Sequence, residues 1–329
     1  MNHNGIEMER CRTDRNGRGT CTNKCWTSMV GMCRLRTCVA WLCAVILCGM
    51  TFGCQKVAIS DVDQPDGQDG KMPVEFRVSD LEQTPFAGPV QSRGTDVGAS
   101  CSHLSLAVYQ GGTKTVQMNQ ESKDADYGSF QLSLRPGAYR VVVIAHNGAK
   151  APVMTDPAKI SFDGKVTDTF YATEEFTVEG SVSRSLSLRR AVAMFRLVTS
   201  DTVPSRVTML RFYYTGGSST FDALNGVGCV SSRQTETRAV TSDMVGQPAT
   251  FEVYTFPRSD TGSLKMQVTA HDAGANVVAQ KTFDEVPVRR NLITQYKGNL
   301  FGGSSGDEKA LFKIGLFSED EWSTREHTF

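Results

Sequence analysis

His103-Leu104-Ser105-Leu106-Ala107-Val108-Tyr109 is the stretch that decides the fold. Successive side chains of a strand point to opposite faces, so Leu104, Leu106 and Val108 share one apolar face. The same rhythm of two runs through Val74-Glu75-Phe76-Arg77-Val78 upstream and Phe130-Gln131-Leu132-Ser133-Leu134 downstream. Arg135-Pro136-Gly137 then makes a turn, because proline presets φ and glycine accepts a positive one. Tyr139 to Ala145 is continuously apolar apart from Arg140 and reads as a strand covered on both faces. Asn147-Gly148 and Asp163-Gly164 are turn dipeptides, and Phe176-Thr177-Val178 closes a first unit.

A second unit repeats the pattern. It is expected to open with Ser185-Leu186-Ser187-Leu188 and to run through Ala191 to Val198 and Val207 to Tyr214. Phe251 to Thr255, Leu264 to Ala270, Val277 to Phe283 and Leu292 to Tyr296 complete it. No segment of three turns carries a helical apolar stripe. Short strands at regular spacing, punctuated by Gly, Pro and Asn, predict an all-β chain of β-sandwiches. The expected division is a sandwich over 73–184 and another over 185–301, with 302–329 as linker and C-terminal strand. Val141 to Ala149 and Met266 to Gly274 also resemble one another, each a central strand ending in Ala-His before a turn.

The N-terminal region reads as an export signal. Arg34 and Arg36 precede an apolar run from Cys38 to Met50, which is short for a bilayer span. Gly53 and Cys54 follow at once. A small residue before a cysteine is the arrangement that lipoprotein processing cuts, leaving a diacylglycerol on the Cys54 thiol. The other readings are an ordinary signal peptide cut near Gly53, or a single apolar anchor. Residues 1–53 are therefore set aside as signal, with Met1 to Ser28 expected to be an over-extended start ahead of Met29 or Met32. Residues 54–72 form a lipidated tether, whose Asp61, Asp63, Asp66 and Asp69 leave almost nothing to bury. Each buried methylene contributes about 0.8 kcal/mol, so two or three acyl chains would hold the protein on a membrane for practical purposes.

Composition excludes several classes. Lys+Arg and Asp+Glu are both 35 in 329 residues, so no basic excess points to nucleic acid. Of ten cysteines, only Cys101 and Cys229 lie beyond Cys54. They fall in different predicted units, and two separate thiols are favoured over a disulfide. No HExxH, P-loop, dinucleotide fingerprint or nucleophile elbow occurs. Cys101 and His103 share an expected strand face, which suits a structural role better than a metal or a Cys–His pair. His146 and His271 sit at strand ends, where an imidazole is commonly half-exposed. Asp124 and Asp126 read as solvated turn carboxylates, and Arg189-Arg190 and Arg289-Arg290 as exposed strand ends. No catalytic residue, metal site or cofactor is expected beyond the lipid on Cys54. Trp322 is the only tryptophan past the signal, so no aromatic loop cluster favours a sugar.

The last segment stands apart. Gly302-Gly303-Ser304-Ser305-Gly306 is a flexible linker reaching on the order of 12 Å. Then Phe312, Ile314 and Leu316 fall on one side of a strand. That strand either folds back as an edge of its own domain or pairs with the open sheet edge of another protein.

Several motifs resemble the FimB-like, Mfa-type fimbrial anchor proteins of Bacteroidales. They are Leu188-Arg189-Arg190-Ala191-Val192-Ala193, Gly137-Ala138-Tyr139-Arg140-Val141-Val142-Val143, Arg290 to Phe301, and the closing strand with Glu321-Trp322. Related stalk, tip and anchor subunits share these motifs. The resemblance implies a lipoprotein precursor with two transthyretin-like β-sandwich domains and a place in surface fimbriae. It implies other fimbrial subunits as partners and the outer membrane as the site of attachment. Stalk subunits of that family lose their first strand to an arginine-specific protease, and a neighbour's C-terminal strand fills the groove. Anchors are thought to keep both lipid and first strand. Here Val74 to Val78 would be that strand and Arg93 the candidate cleavage site. The expectation is a basal anchor, with Phe312, Ile314 and Leu316 as candidate donor strand. The alternatives are a stalk or tip subunit matured at Arg93, or a surface lipoprotein binding carbohydrate or a host ligand.

Overall fold

A computed structural model describes residues 70–82 and 96–302, and the backbone pairing of 313–318 and 321–327. All described residues lie in one compact unit, 63–329. Its first half holds β1 (Met72–Leu81), a single helical turn α1 (Val97–Ser100), β2 (His103–Gln110), β3 (Thr113–Glu121) and β4 (Ser129–Leu134). β5 (Gly137–His146), β6 (Ile160–Ser161), β7 (Thr169–Val178) and β8 (Val182–Arg190) follow. The second half opens with β9 (Ala193–Thr199), β10 (Met209–Thr215), β11 (Gly217–Ser218), β12 (Thr220–Asp222) and β13 (Val227–Gly228). It continues with β14 (Gln234–Ala239), β15 (Thr250–Pro257), β16 (Gly262–His271), β17 (Val277–Val288), β18 (Leu292–Gly298), β19 (Lys313–Ser318) and β20 (Glu321–His327).

The first half is one seven-stranded sheet, ordered β3-β2-β5-β7-β8-β1-β4, folded on itself into two layers. The fold lies in β8: Val182 to Leu188 pair with β1, while Arg189 and Arg190 pair with β7. Val74, Phe76 and Val78 of β1 and Leu186 and Leu188 of β8 face Leu104, Leu106 and Val108 of β2 and Val141 and Val143 of β5. The alternation of two seen in the sequence is thus the division between core face and outer face.

The second half packs a sheet ordered β14-β10-β16-β17 on one ordered β11-β15-β9-β18-β19-β20. Its centre is aromatic. The Phe195 ring lies 5.7 Å from Phe283 and from Tyr296, and 6.2 Å from Phe212. Both halves share one device: the first strand runs parallel to a late strand as its direct neighbour, β1 beside β8 and β9 beside β18.

A third core joins the halves. Val142 and Ile144 of β5, Tyr109 and Tyr171 show their second face to Phe221, Phe256, Ala191 and Val192. This is why the run at Tyr139 to Ala145 is apolar on both sides, and each such large side chain contributes about 1.5–3 kcal/mol of burial. A small sheet seals the join, with Phe221 of β12 opposite Ile160 of β6.

Two sequence expectations need correction, and two strands were not foreseen. Ser185 to Leu188 do not open the second sandwich: they are the middle of β8, with Leu186 and Leu188 fully buried in the first core. A parallel partner for β1 must come from late in its own sandwich, and this strand supplies it. Thr113–Glu121 and Gln234–Ala239 gave no apolar signal, yet they are the edge strands β3 and β14. Edge strands need main-chain bonds on one side only and are kept polar against aggregation. Finally, the C-terminal piece is two strands, because the polar Glu321–His327 continues as β20 against β19.

Candidate functional site

Of the residues singled out in the sequence, Cys54, Arg93 and Phe312 lie outside the described residues. Ile314 and Leu316 belong to β19, whose backbone pairs antiparallel with β18, Ile314 opposite Tyr296 and Leu316 opposite Thr294. The strand therefore sits on its own chain, the first of the two placements that the sequence left open.

The proposed first strand is an integral part of its sandwich. β1 pairs antiparallel with β4 and parallel with β8. Its Phe76 is completely buried, with its ring 5.2 Å from Phe176 in an edge-on arrangement. Removing β1 would open a groove along Val74, Phe76 and Val78 between β4 and β8.

The most polar buried cluster sits where the two halves meet. Arg190 ends β8 with its side chain wholly buried. Its Nε donates to Asp168 Oδ1 at 2.8 Å and its Nη2 to Asp168 Oδ2 at 3.2 Å. Its Nη1 donates to Asn291 Oδ1, and its guanidinium carbon lies 4.8 Å from the centre of the Phe170 ring. The Asn291 N–H donates to Val192 O at 2.9 Å, and the Ala191 N–H to Thr169 O at 2.8 Å. The two-residue link between the halves is thus held from both sides. Arg290 adds bonds from Nη1 to the Tyr171 hydroxyl and to Gly226 O.

The expectation that both arginine pairs are exposed strand ends holds for only one member of each. Arg189 and Arg289 are exposed, while Arg190 is buried and Arg290 partly so. For Arg189-Arg190 the period of two was the available signal, since adjacent strand residues point to opposite faces and cannot both face solvent when one face is covered.

The histidines are structural in their surroundings. His146 and His271 are 1% and 8% exposed, not half-exposed as expected. They occupy corresponding strand ends, and in each Nδ1 bonds to the turn that follows. His146 Nδ1 accepts the Gly148 N–H at 2.9 Å, while His271 Nδ1 lies 3.1 Å from Ala275 O. Burial, with a smaller contribution from His103, lowers the His146 pKa to about 4. His103 stacks on His146 with ring centres 5.4 Å apart, whereas Cys101 packs into the first core. The expected shared face of Cys101 and His103 is lost because Cys101 caps α1 and lies before β2. Burial also pushes the Cys101 thiol up to about 12. Cys101 and Cys229 are both free thiols. Among the described residues, no three His, Cys, Asp or Glu side chains gather to hold a metal. A groove of about 650 Å³ crosses the join between Asn147, Lys165 and Thr167 on one side and Arg238, Phe251 and Tyr254 on the other. The Asn147 amide there is already bonded to Ser100 O and the Ser102 N–H.

These features define an all-β class: two sandwiches in series, each with its first strand parallel to a late one, locked by a buried ionic junction. Residues 70–316 match the family of unknown function DUF6562, and the chain belongs to that family. No curated protein matches the chain in sequence. Among solved structures, it is similar to a candidate polysaccharide-binding protein (DUF1812) from Bacteroides thetaiotaomicron. That likeness has 10% identity and a TM-score of 0.48 over 74% of this chain and 95% of the other. A candidate adhesin from Bacteroides ovatus gives 15% identity and a TM-score of 0.44, over 72% and 88%. The fimbrial anchor protein Mfa2 from Porphyromonas gingivalis gives 10% and 0.43, over 75% and 96%.

Proposed function

We propose that this chain is a non-enzymatic fimbrial subunit of the outer membrane, held by lipid on Cys54 and acting as the basal anchor. The observation that supports this reading is that β1 fills its own groove, bonded on both edges and buried through Phe76, an arrangement the chain keeps as long as it is not cut at Arg93. A subunit with that groove occupied has no vacancy for a neighbour's strand, so growth stops at it. The partner would be another fimbrial subunit, reached through the C-terminal strand with Phe312, Ile314 and Leu316. For donation, β19 must leave β18.

The deciding experiment is the N-terminus of the protein isolated from cells. An acylated Cys54 is the expected result. A chain starting at Gly94 would move it to the cleaved stalk class and overturn the anchor role. As a second test, Ile314→Asp should abolish fimbrial assembly while both halves stay folded, because a charge would have to enter an apolar groove. Normal fimbriae from that variant would remove the donor role.

A further inference from the structure

We propose that the chain is a tension-transmitting module in which both sandwiches are loaded in shear. The observation is the repeated parallel pairing of the first strand of each half with a late one. Seven residues of β1, from Val74 to Leu81, pair in parallel with Val182 to Leu188 of β8. Six residues of β18, from Ile293 to Gly298, pair in parallel with Met194 to Thr199 of β9.

Direction matters here. Tension entering at Met72 pulls β1 by its beginning, and tension leaving the first half pulls β8 by its end at Arg190. In a parallel pair those two points lie at opposite ends of the ladder. The strands can then separate only by sliding, which loads all their main-chain hydrogen bonds together. An antiparallel pair would place both points at one end, and the bonds would open one after another. The second half repeats the geometry, since β9 is entered at Ala193 and β18 is left at Gly298.

The joints of this path are reinforced. Only Ala191 and Val192 separate β8 from β9, and the Arg190–Asp168–Asn291 cluster holds that link. At the exit, the Asp201 carboxylate accepts the N–H groups of Leu300, Phe301 and Gly302 at 3.0, 2.6 and 2.7 Å. Asp201 lies just beyond β9, so this clasp fastens the end of β18 to the strand beside it. The force path therefore runs through β1, β8, β9 and β18 and bypasses the other strands. The mechanical property follows from topology alone; its use in attachment rests on the anchor role proposed above.

The test is forced unfolding of the full chain held by two handles on azide-bearing residues. Positions 71 and 302 give the shear geometry along the proposed path. Positions 71 and 180 place both handles at the same end of the β1–β8 ladder and peel it pair by pair. Lys71 and Gly302 are exposed, and a side chain added at Gly180 meets open space. Forced rupture reports the unfolding barrier, so the comparison reads loading geometry within one folded molecule. A rupture force several-fold higher for 71–302 than for 71–180 is expected. Equal forces, or a lower force for 71–302, would overturn the proposal and leave the state of Cys54 untouched.

Discussion

Replacing Asp168 with Asn isolates the electrostatics of the junction. The change keeps the shape of the side chain and removes its charge, leaving the Arg190 guanidinium buried beside a neutral carboxamide. Arg190 has no side-chain exposure and Asp168 has 10%, so water cannot take over the lost role. Breaking a buried pair from one side typically costs 3–5 kcal/mol. Asn291 and the Phe170 ring remain as partners, which points to the lower end of that range, about 3 kcal/mol. For a folded unit of this size that lowers the melting temperature by roughly 6–12 °C. Thermal unfolding followed by far-ultraviolet circular dichroism measures it. Replacing both partners, Asp168→Leu with Arg190→Met, should recover most of the loss, because no charge is then left buried. An Asp168→Asn variant within about 0.5 kcal/mol of the parent would show that the pair is not isolated from solvent.

Other outcomes follow from the same structure. The His146 pKa of about 4 lies below its unfolded value near 6.5, so the unfolded chain binds the extra proton first. Stability from this group is complete above pH 6.5 and declines as pH falls toward 4, by about 3 kcal/mol in all. A His146→Gln variant should flatten that part of a stability-against-pH curve, and an unchanged slope would contradict the assignment. Gly226→Ala should destabilise the join of the halves, since φ is +71° and a Cβ there would lie 2.0 Å from the Tyr171 hydroxyl. Hydrogen exchange should rise at β6, β12 and β13 before the two main cores; uniform exchange would argue against a local effect. A thiol reagent at pH 8 should modify Cys229, which is exposed, and spare Cys101, which is buried with its thiol pushed up to about 12. Equal labelling of both in the native protein would contradict that burial.

Much of the architecture could be read from single strands. Leu104, Leu106 and Val108 announce a core face because a strand reverses its side chains at every residue, whatever surrounds it. The double-sided run at Val141 to Ala145 announces a covered strand for the same local reason. Polar strands such as Thr113–Glu121 escaped because an edge is defined by its neighbours and carries no apolar stripe of its own. Arg190 escaped because its partners, Asp168 and Asn291, lie 22 and 101 residues away.

By itself the sequence determined the material: strands that alternate with a period of two, and the turn residues that separate them. Those are properties of short windows, where periodicity and residue type act within a few residues. Only the tertiary structure decided that Ser185 to Leu188 complete the first sandwich, that β1 lies parallel to β8, and that Arg190 is sealed between the halves. Each of these depends on which distant segment becomes a neighbour, and that choice is made by packing the whole chain around its three cores.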